Sequence, residues 1–249
     1  MNVFLCGQGI ACETILRRYL TPGRYDVVLF THAGATIFDQ ARAWQIPATI
    51  NPVNDIDKWP VQPELIISVY YRHIISQDVI NRVGGRIFNA HTSLLPRHRG
   101  RSPIPWAIVE GDHLTGVTYH YIDSGIDTGP IILQAVCQIT DDDTQTSLFD
   151  KINLLVVANF PPALSLVLSG WKGTPQVGFS SYHFAGPPHR GQIDPSWPLG
   201  KIERFIRAMT YPPLPPAKLG DREIHNMDDY RKALYERHVA TKRINSLTV

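Results

Sequence analysis

The stretch LIISVYYRHIISQDVINRVGGRIFNAH, residues 65–91, decides the fold. Leu65–Tyr71 is a short run rich in β-branched and aromatic residues, the composition of a strand. Ser76–Val83 switches to helical periodicity, and Arg86–His91 returns to a strand. A strand, a short helix and a second strand in so few residues make a βαβ unit, whose two strands lie parallel in one sheet.

The same alternation extends toward the N-terminus. Asn2–Gly7 reads as a strand, Ile10–Leu20 as a helix ending near Pro22-Gly23, Tyr25–Thr31 as a strand and Ala35–Trp44 as a helix. The repeated pattern predicts an α/β, Rossmann-like fold, a mostly parallel sheet with helices on both faces. Such sheets bind ligands beyond the carboxyl ends of their strands. Toward the C-terminus the pattern changes. Thr115–Asp123 and Pro130–Ile139 are strand-like runs joined by SGIDTG with no helix between them. Thr144–Gly170 reads as a helix, with Asp143 or Thr144 as N-cap and a break or kink at Pro161-Pro162. Beyond Trp171, proline-rich stretches at Gly186–Pro198 and Tyr211–Pro216 bracket a short helix, Gly200–Met209. The expected organisation is a catalytic core over 1–170 and a loop-rich C-terminal appendage over 171–249.

Hydrophobic residues make up 43% of the 249 and charged residues 18%, which excludes wholesale disorder. A net charge of +2 carries no basic stripe of the kind that grips a nucleic-acid backbone. Three cysteines, Cys6, Cys12 and Cys137, are too sparse for a disulfide framework, and no CxxC pair suggests zinc. The N-terminus lacks the basic region of a signal peptide. The apolar stretch Leu154–Leu168 is interrupted by Asn159, Pro161 and Pro162 and reads as too short to span a bilayer. The expectation is a soluble, cytoplasmic protein with no nucleic-acid or membrane partner.

Gly7 and Gly9 fit the opening of GxGxxG, but Cys12 replaces the third glycine, and Thr31-His32 stands where a ribose-binding acid belongs. A tight strand-to-helix turn explains the glycines equally well. RIFNAH is more informative. The two-residue period of a strand puts Ile87, Asn89 and His91 on one face and Phe88 and Ala90 on the other. An amide and an imidazole converging at a strand end supply an oxyanion donor and a proton-transfer group. Asp123 and Asp127, in the turn DSGIDTGP, are rival carboxylates for orienting the imidazole, and spacing alone does not choose between them. Each of these polar groups also has an ordinary structural explanation in bonding to its own loop backbone. The remaining histidines share no metal-ligand spacing, so no metal site is expected.

Together, FNAHTSLLPRHRGRSPIPWAIVEGDHLTGVTYHY (88–121) and DSGIDTGPIILQ (123–134) resemble the catalytic core of folate-dependent formyltransferases. The match rests on an N-x-H-x-SLLP segment, an RG-containing loop and a D-x-G-x-D-x-G-x-I turn. The looser strand–helix pattern carries it over most of residues 1–170. The resemblance implies that Asn89, His91 and Asp127, rather than Asp123, are catalytic and that 10-formyltetrahydrofolate is the co-substrate, with no metal. It further implies a folate pocket built from Arg72, His73, Ile74 and Ile75, from Ser93, Leu94, Leu95 and Pro96, and from Asp123, Ser124, Gly125 and Ile126. Arg101 matches an arginine of the sugar-modifying branch.

The stretch GQIDPSWPLGKIERFIRAMTYPPLPPAKL (191–219) resembles a region shared by the tRNA-modifying and sugar-modifying branches. It departs from the pattern at Pro195, where tryptophan is usual and Trp197 follows two residues later. A core with this region and no C-terminal nucleic-acid-binding barrel resembles a sugar N-formyltransferase. The implied acceptor is a nucleotide-linked amino sugar, commonly a dTDP-4-amino-4,6-dideoxyhexose used in bacterial surface polysaccharide such as O-antigen. Arg97, Arg99 and Arg101 are candidate partners for its diphosphate. A homodimer built through residues 171–249 is expected. The alternatives are a methionyl-tRNA formyltransferase without its barrel and a formyltetrahydrofolate hydrolase.

Overall fold

The computed structural model describes residues 1–20 and 23–247. Strand β1 (Asn2–Gly7) leads into α1 (Gly9–Ile15), which continues as a π-helical turn over Leu16–Leu20. The expected helix end at Pro22 lies outside the described residues. Next come β2 (Asp26–Phe30), α2 (Thr36–Ala43), β3 (Ala48–Thr49), β4 (Leu65–Val69), α3 (Gln77–Arg82), β5 (Ile87–His91) and the two-residue strand β6 (Arg99–Gly100). Helix α4 (Pro103–Glu110), strands β7 (Leu114–Tyr121) and β8 (Ile131–Gln138), and helix α5 (Gln145–Leu168) follow. The remainder holds β9 (Tyr182–His183), α6 (Leu199–Ala208), β10 (Ala217–Leu219), β11 (Arg222–Ile224) and α7 (Met227–Leu247).

Seven strands form one sheet in the order β3-β2-β1-β4-β5-β7-β8. The first four neighbouring pairs, from β3-β2 to β4-β5, are parallel, whereas β5 pairs antiparallel with β7. The predicted α/β class and mostly parallel sheet are therefore what the chain forms. β4 is buried throughout and β1 nearly so, as strands covered on both faces must be.

Packing divides the chain into two units. The first comprises residues 1–100, 116–137 and 151–182, and the second 101–115, 138–150 and 183–249. In the first unit one face of the sheet carries Phe4, Val28, Phe30 and Ile66 against Val79, Ile80 and Val83. On the other face Phe160 of α5 lies 5.7 Å from the Tyr19 ring, 6.4 Å from Phe88 and 6.5 Å from Tyr119, measured between centroids.

Helix α5 runs for 24 residues through Pro161 and Pro162, with a mean hydropathy of 1.5 in its most apolar window. It is long and apolar enough to cross a bilayer, which corrects the expectation that this segment is too short. What its side chains touch is the sounder criterion. Ile152, Val156, Phe160 and Leu164 recur every fourth residue and are buried. The Tyr119 hydroxyl also donates to the Val156 carbonyl. One stripe of α5 thus packs in the core, while Leu154 and Leu168 stay exposed. Thr144 is its cap, because Ser147 N–H donates to Thr144 Oγ1 at 3.3 Å and Thr144 N–H to Ser147 Oγ at 3.1 Å, a reciprocal pair. Asp143 supports the same turn, accepting from Thr140 N–H and from the Ser147 hydroxyl, each at 2.8 Å.

Residues 171–249 are more regular than the predicted loop-rich appendage. Helix α4 opens on Pro103, with Pro105 two residues further on. Proline is tolerated in a first turn, where the N–H groups have no partner in any case. The hairpin β10–β11 and the long α7 were not anticipated. Trp106, His183, His189, Trp197 and Phe205 form one ring cluster within the second unit, Trp106 stacked on His183 and the other pairs tilted or edge-on.

Candidate active site

Strand β5 ends at the carboxyl edge of the parallel part of the sheet, where bound ligands are expected. Its register opposes Asn89 to His120 and His91 to Thr118 on β7. The His98 carbonyl lies 2.8 Å from His91 Nε2, so that nitrogen carries the proton and donates. The other ring nitrogen, Nδ1, faces Asp127 Oδ2 at 3.5 Å. Asn89 Nδ2–H donates to His120 Nε2 at 3.2 Å, while His120 Nδ1–H donates to the Tyr121 carbonyl at 2.8 Å. His120 Nε2 is also 3.5 Å from Asp127 Oδ1, and Gly100 N–H donates to Asp127 Oδ2 at 2.8 Å. Asn89, His91 and Asp127 therefore lie together around the two imidazoles, and all three belong to the first unit.

Burial pushes the His91 imidazole below its ordinary pKa; the Asp127 charge opposes that shift and His120 reinforces it. Burial alone would raise Asp127. The charges of His91 and His120 and the Gly100 N–H outweigh it and hold the carboxyl well below the usual range. The resting pair is an ionised carboxylate beside a neutral imidazole whose Nδ1 lone pair is its one basic position.

Asp123 and Asp127 separate cleanly. Asp123 Oδ1 accepts from Gly125 N–H at 3.1 Å and from the Thr128 hydroxyl at 2.6 Å, so it shapes the turn in which Ser124, Gly125 and Ile126 are exposed. Asp127 sits in the left-handed region at φ 53° with its carboxylate turned toward the two histidines. The Ser93–Pro96 loop is pinned to β7: Thr118 Oγ1–H donates to Ser93 C=O at 2.7 Å and accepts from Leu95 N–H at 3.0 Å. Arg72–Ile75 follow the end of β4, next to β5. There Asn54 donates to Ile74 C=O at 2.9 Å and accepts from Ser76 N–H at 3.0 Å; of the four residues only Ile75 is buried. Arg101 belongs to the second unit, where its N–H donates to His183 C=O at 2.9 Å. Gly7 is explained by packing, since a Cβ there would lie 2.0 Å from the Val69 carbonyl oxygen. Among the described residues no group of three or more His, Cys, Asp or Glu is placed to hold a metal.

Sequence reasoning missed His120. The alternation of GVTYHY puts it on the same face as Thr118, but only the β5–β7 register sets it opposite Asn89.

Residues 34–164 match the formyl transferase family over their whole span. The chain belongs to the formyl transferase family. A GDP-perosamine N-formyltransferase from Brucella melitensis biotype 1 is 38% identical over 157 residues, which are 63% of this chain and 61% of that protein. The alignment thus spans less than two thirds of the relative. An N-formyltransferase from Helicobacter canadensis, solved with folinic acid and dTDP-3-aminofucose, superposes with a TM-score of 0.73 over 90% of this chain and 86% of its own. At 19% identity that likeness is one of fold. A formyltransferase from Anoxybacillus kamchatkensis, solved with UDP-4,6-dideoxy-4-formamido-L-AltNAc and tetrahydrofolate, is 27% identical with a TM-score of 0.55, covering 74% of this chain and 86% of that one.

Proposed function

We propose that this formyl transferase family member moves the formyl group of 10-formyltetrahydrofolate onto the amine of a nucleotide-linked amino sugar. The observation that carries the reading is the convergence of Asn89, His91 and Asp127 at the end of β5. Folate-bound and nucleotide-sugar-bound relatives support the two substrates. A dTDP-4-amino-4,6-dideoxyhexose is the proposed acceptor. A GDP-linked amino sugar is the second reading, favoured by the 38% identity to an enzyme named for GDP-perosamine. The product serves bacterial surface polysaccharide, and the enzyme works in the cytoplasm as a homodimer.

The geometry supports the following chemistry. The neutral amine attacks the formyl carbon, a C–N bond forms, and the carbonyl oxygen becomes an oxyanion. Asn89 spends one N–H on His120, and its second N–H is the donor to that oxygen. His91 Nδ1 takes the proton released by the amine. The resulting imidazolium is stabilised by Asp127, which faces that nitrogen. The bond from carbon to folate N10 then breaks, and His91 returns the proton to N10. Residues Arg72–Ile75, Ser93–Pro96 and Asp123–Ile126 line the folate side. Arg97 is the proposed cation for the nucleotide diphosphate, and Arg99 donates two N–H groups to Gln176 Oε1.

Incubating the protein with 10-formyltetrahydrofolate and dTDP-, GDP- or UDP-linked amino sugars tests the assignment. Formylation of a nucleotide sugar, with charged initiator tRNA left unmodified, is expected. Comparable formylation of methionyl-tRNA overturns the branch, and folate deformylation at equal rate without any amine makes the protein a hydrolase.

A further inference from the structure

The turn that carries Asp127 is held by a segment far along the chain. Gln176 Nε2 donates to the carbonyls of Asp127 and Gly129, each at 2.8 Å. Its Oε1 accepts from Arg99 Nε at 3.2 Å and Arg99 Nη2 at 2.7 Å. Both donors and both lone pairs of the side-chain amide are thereby used. The next residue after Arg99 closes the circuit, because Gly100 N–H donates to Asp127 Oδ2. Two adjacent residues thus hold the carboxylate through Gly100 and, through Arg99 and Gln176, the carbonyl of the same aspartate.

The same segment reaches His91. His98 N–H donates to Ser181 Oγ and Arg99 N–H to Ser181 C=O, each at 2.9 Å. The His98 carbonyl is in turn the acceptor for His91 Nε2–H. Every residue in this network lies in the first unit. Asp127 needs such support. Its left-handed φ of 53° is uncommon for a residue with a Cβ and persists only where neighbours over-determine it.

We infer that Gln176 is a positioning residue of this site, clamping the Asp127 turn to Arg99 so that the carboxylate faces His91. Its kinetic consequence rests on the formyl-transfer reading, whereas its structural consequence does not. The groups that face His91 are Asp127 from the β7–β8 turn, His120 from β7 and His98 from the loop after β5. Of these, Asp127 is the one that Gln176 holds.

The test uses the intact protein with Gln176→Met, which removes both halves of the clamp, and Gln176→Glu, which keeps the Arg99 acceptor but sets oxygen against two carbonyls. The His91 ring signal is followed by NMR across pH, assigned by its loss in His91→Gln. Loosening Asp127 withdraws the charge that favours the imidazolium, so the His91 midpoint should fall by about half a unit or more in both variants. Neither variant should shift it further in an Asp127→Asn background. Turnover should drop about tenfold, with the KM for folate changed less than about twofold. If the acceptor assignment is wrong, the titration still reads the clamp. An unmoved His91 midpoint in Gln176→Met, or an equal shift with and without the Asp127 carboxylate, overturns the proposal.

Discussion

His91 and Asp127 face each other across 3.5 Å inside a buried site, and neither forms its strongest bond until a proton reaches Nδ1. Replacing His91, Asp127 or Asn89 by alanine should each lower turnover by at least about a hundredfold without unfolding the protein. His91→Ala/Asp127→Ala should be little slower than the worse single variant, because both serve one proton transfer; initial rates with a formylated sugar as product measure this. The pH profile has a defined sign. In the proposed mechanism the base is the neutral His91 imidazole, and burial lowers its pKa, so activity should persist below the ordinary histidine range and fall as pH drops through the depressed value. Asp127→Asn removes the charge that opposes this shift, and the acid limb of kcat/KM should move to still lower pH. A limb that moves upward would contradict the assigned pairing.

The hairpin of β7 and β8 sets the turn in which Asp127 sits. A Cβ at Gly129 would lie 1.9 Å from the Tyr121 carbonyl oxygen, and backbone cannot yield as a flexible side chain can. Gly129→Ala should therefore lower the melting temperature and also cut activity, by displacing the turn that bears the carboxylate. Retained turnover at an unchanged melting temperature would show that the hairpin tolerates that shift. At the same scale, the alternation of RIFNAH made the shared face of Asn89 and His91 legible before any coordinates. The helix α4 and the role of His120 were not legible. Proline conceals a helix start, and a pairing partner is a property of two strands.

Across the whole molecule, acid should destabilise the fold. His91 binds its proton less readily folded than unfolded, so as pH falls below the unfolded histidine value of about 6.5 the unfolded state gains protons and stability declines. Asp127 acts in the same direction lower down. Its folded pKa is depressed, so its contribution is present above the unfolded carboxylate value and lost as pH falls through the folded one. Denaturant midpoints measured from pH 8 down to pH 5 should fall, and less so for His91→Gln. Residues 171–249 expose Phe179 at 74%, Phe184 at 80% and Leu214 at 57%, apolar surface consistent with the proposed homodimer. Sedimentation at micromolar concentration should give twice the 28.0 kDa of one chain, and a constant 28.0 kDa across dilution would refute pairing.

The local pattern of residues determined the parallel sheet, the strand that ends in Asn89 and His91, and the match to a formyltransferase core. These depend on periodicities of two and 3.6 residues, which one chain segment carries by itself. Only the tertiary structure decided which groups complete the site. His120 reaches Asn89 through strand register, the His98 carbonyl fixes the His91 tautomer, and Gln176 reaches Asp127 from 49 residues away. It also decided which stripe of α5 is buried, since its composition suits a bilayer equally well. The physical reason is common to all of them. Hydrogen bonds and burial join residues distant in sequence, and a pattern read along the chain contains no term for what lies across the sheet.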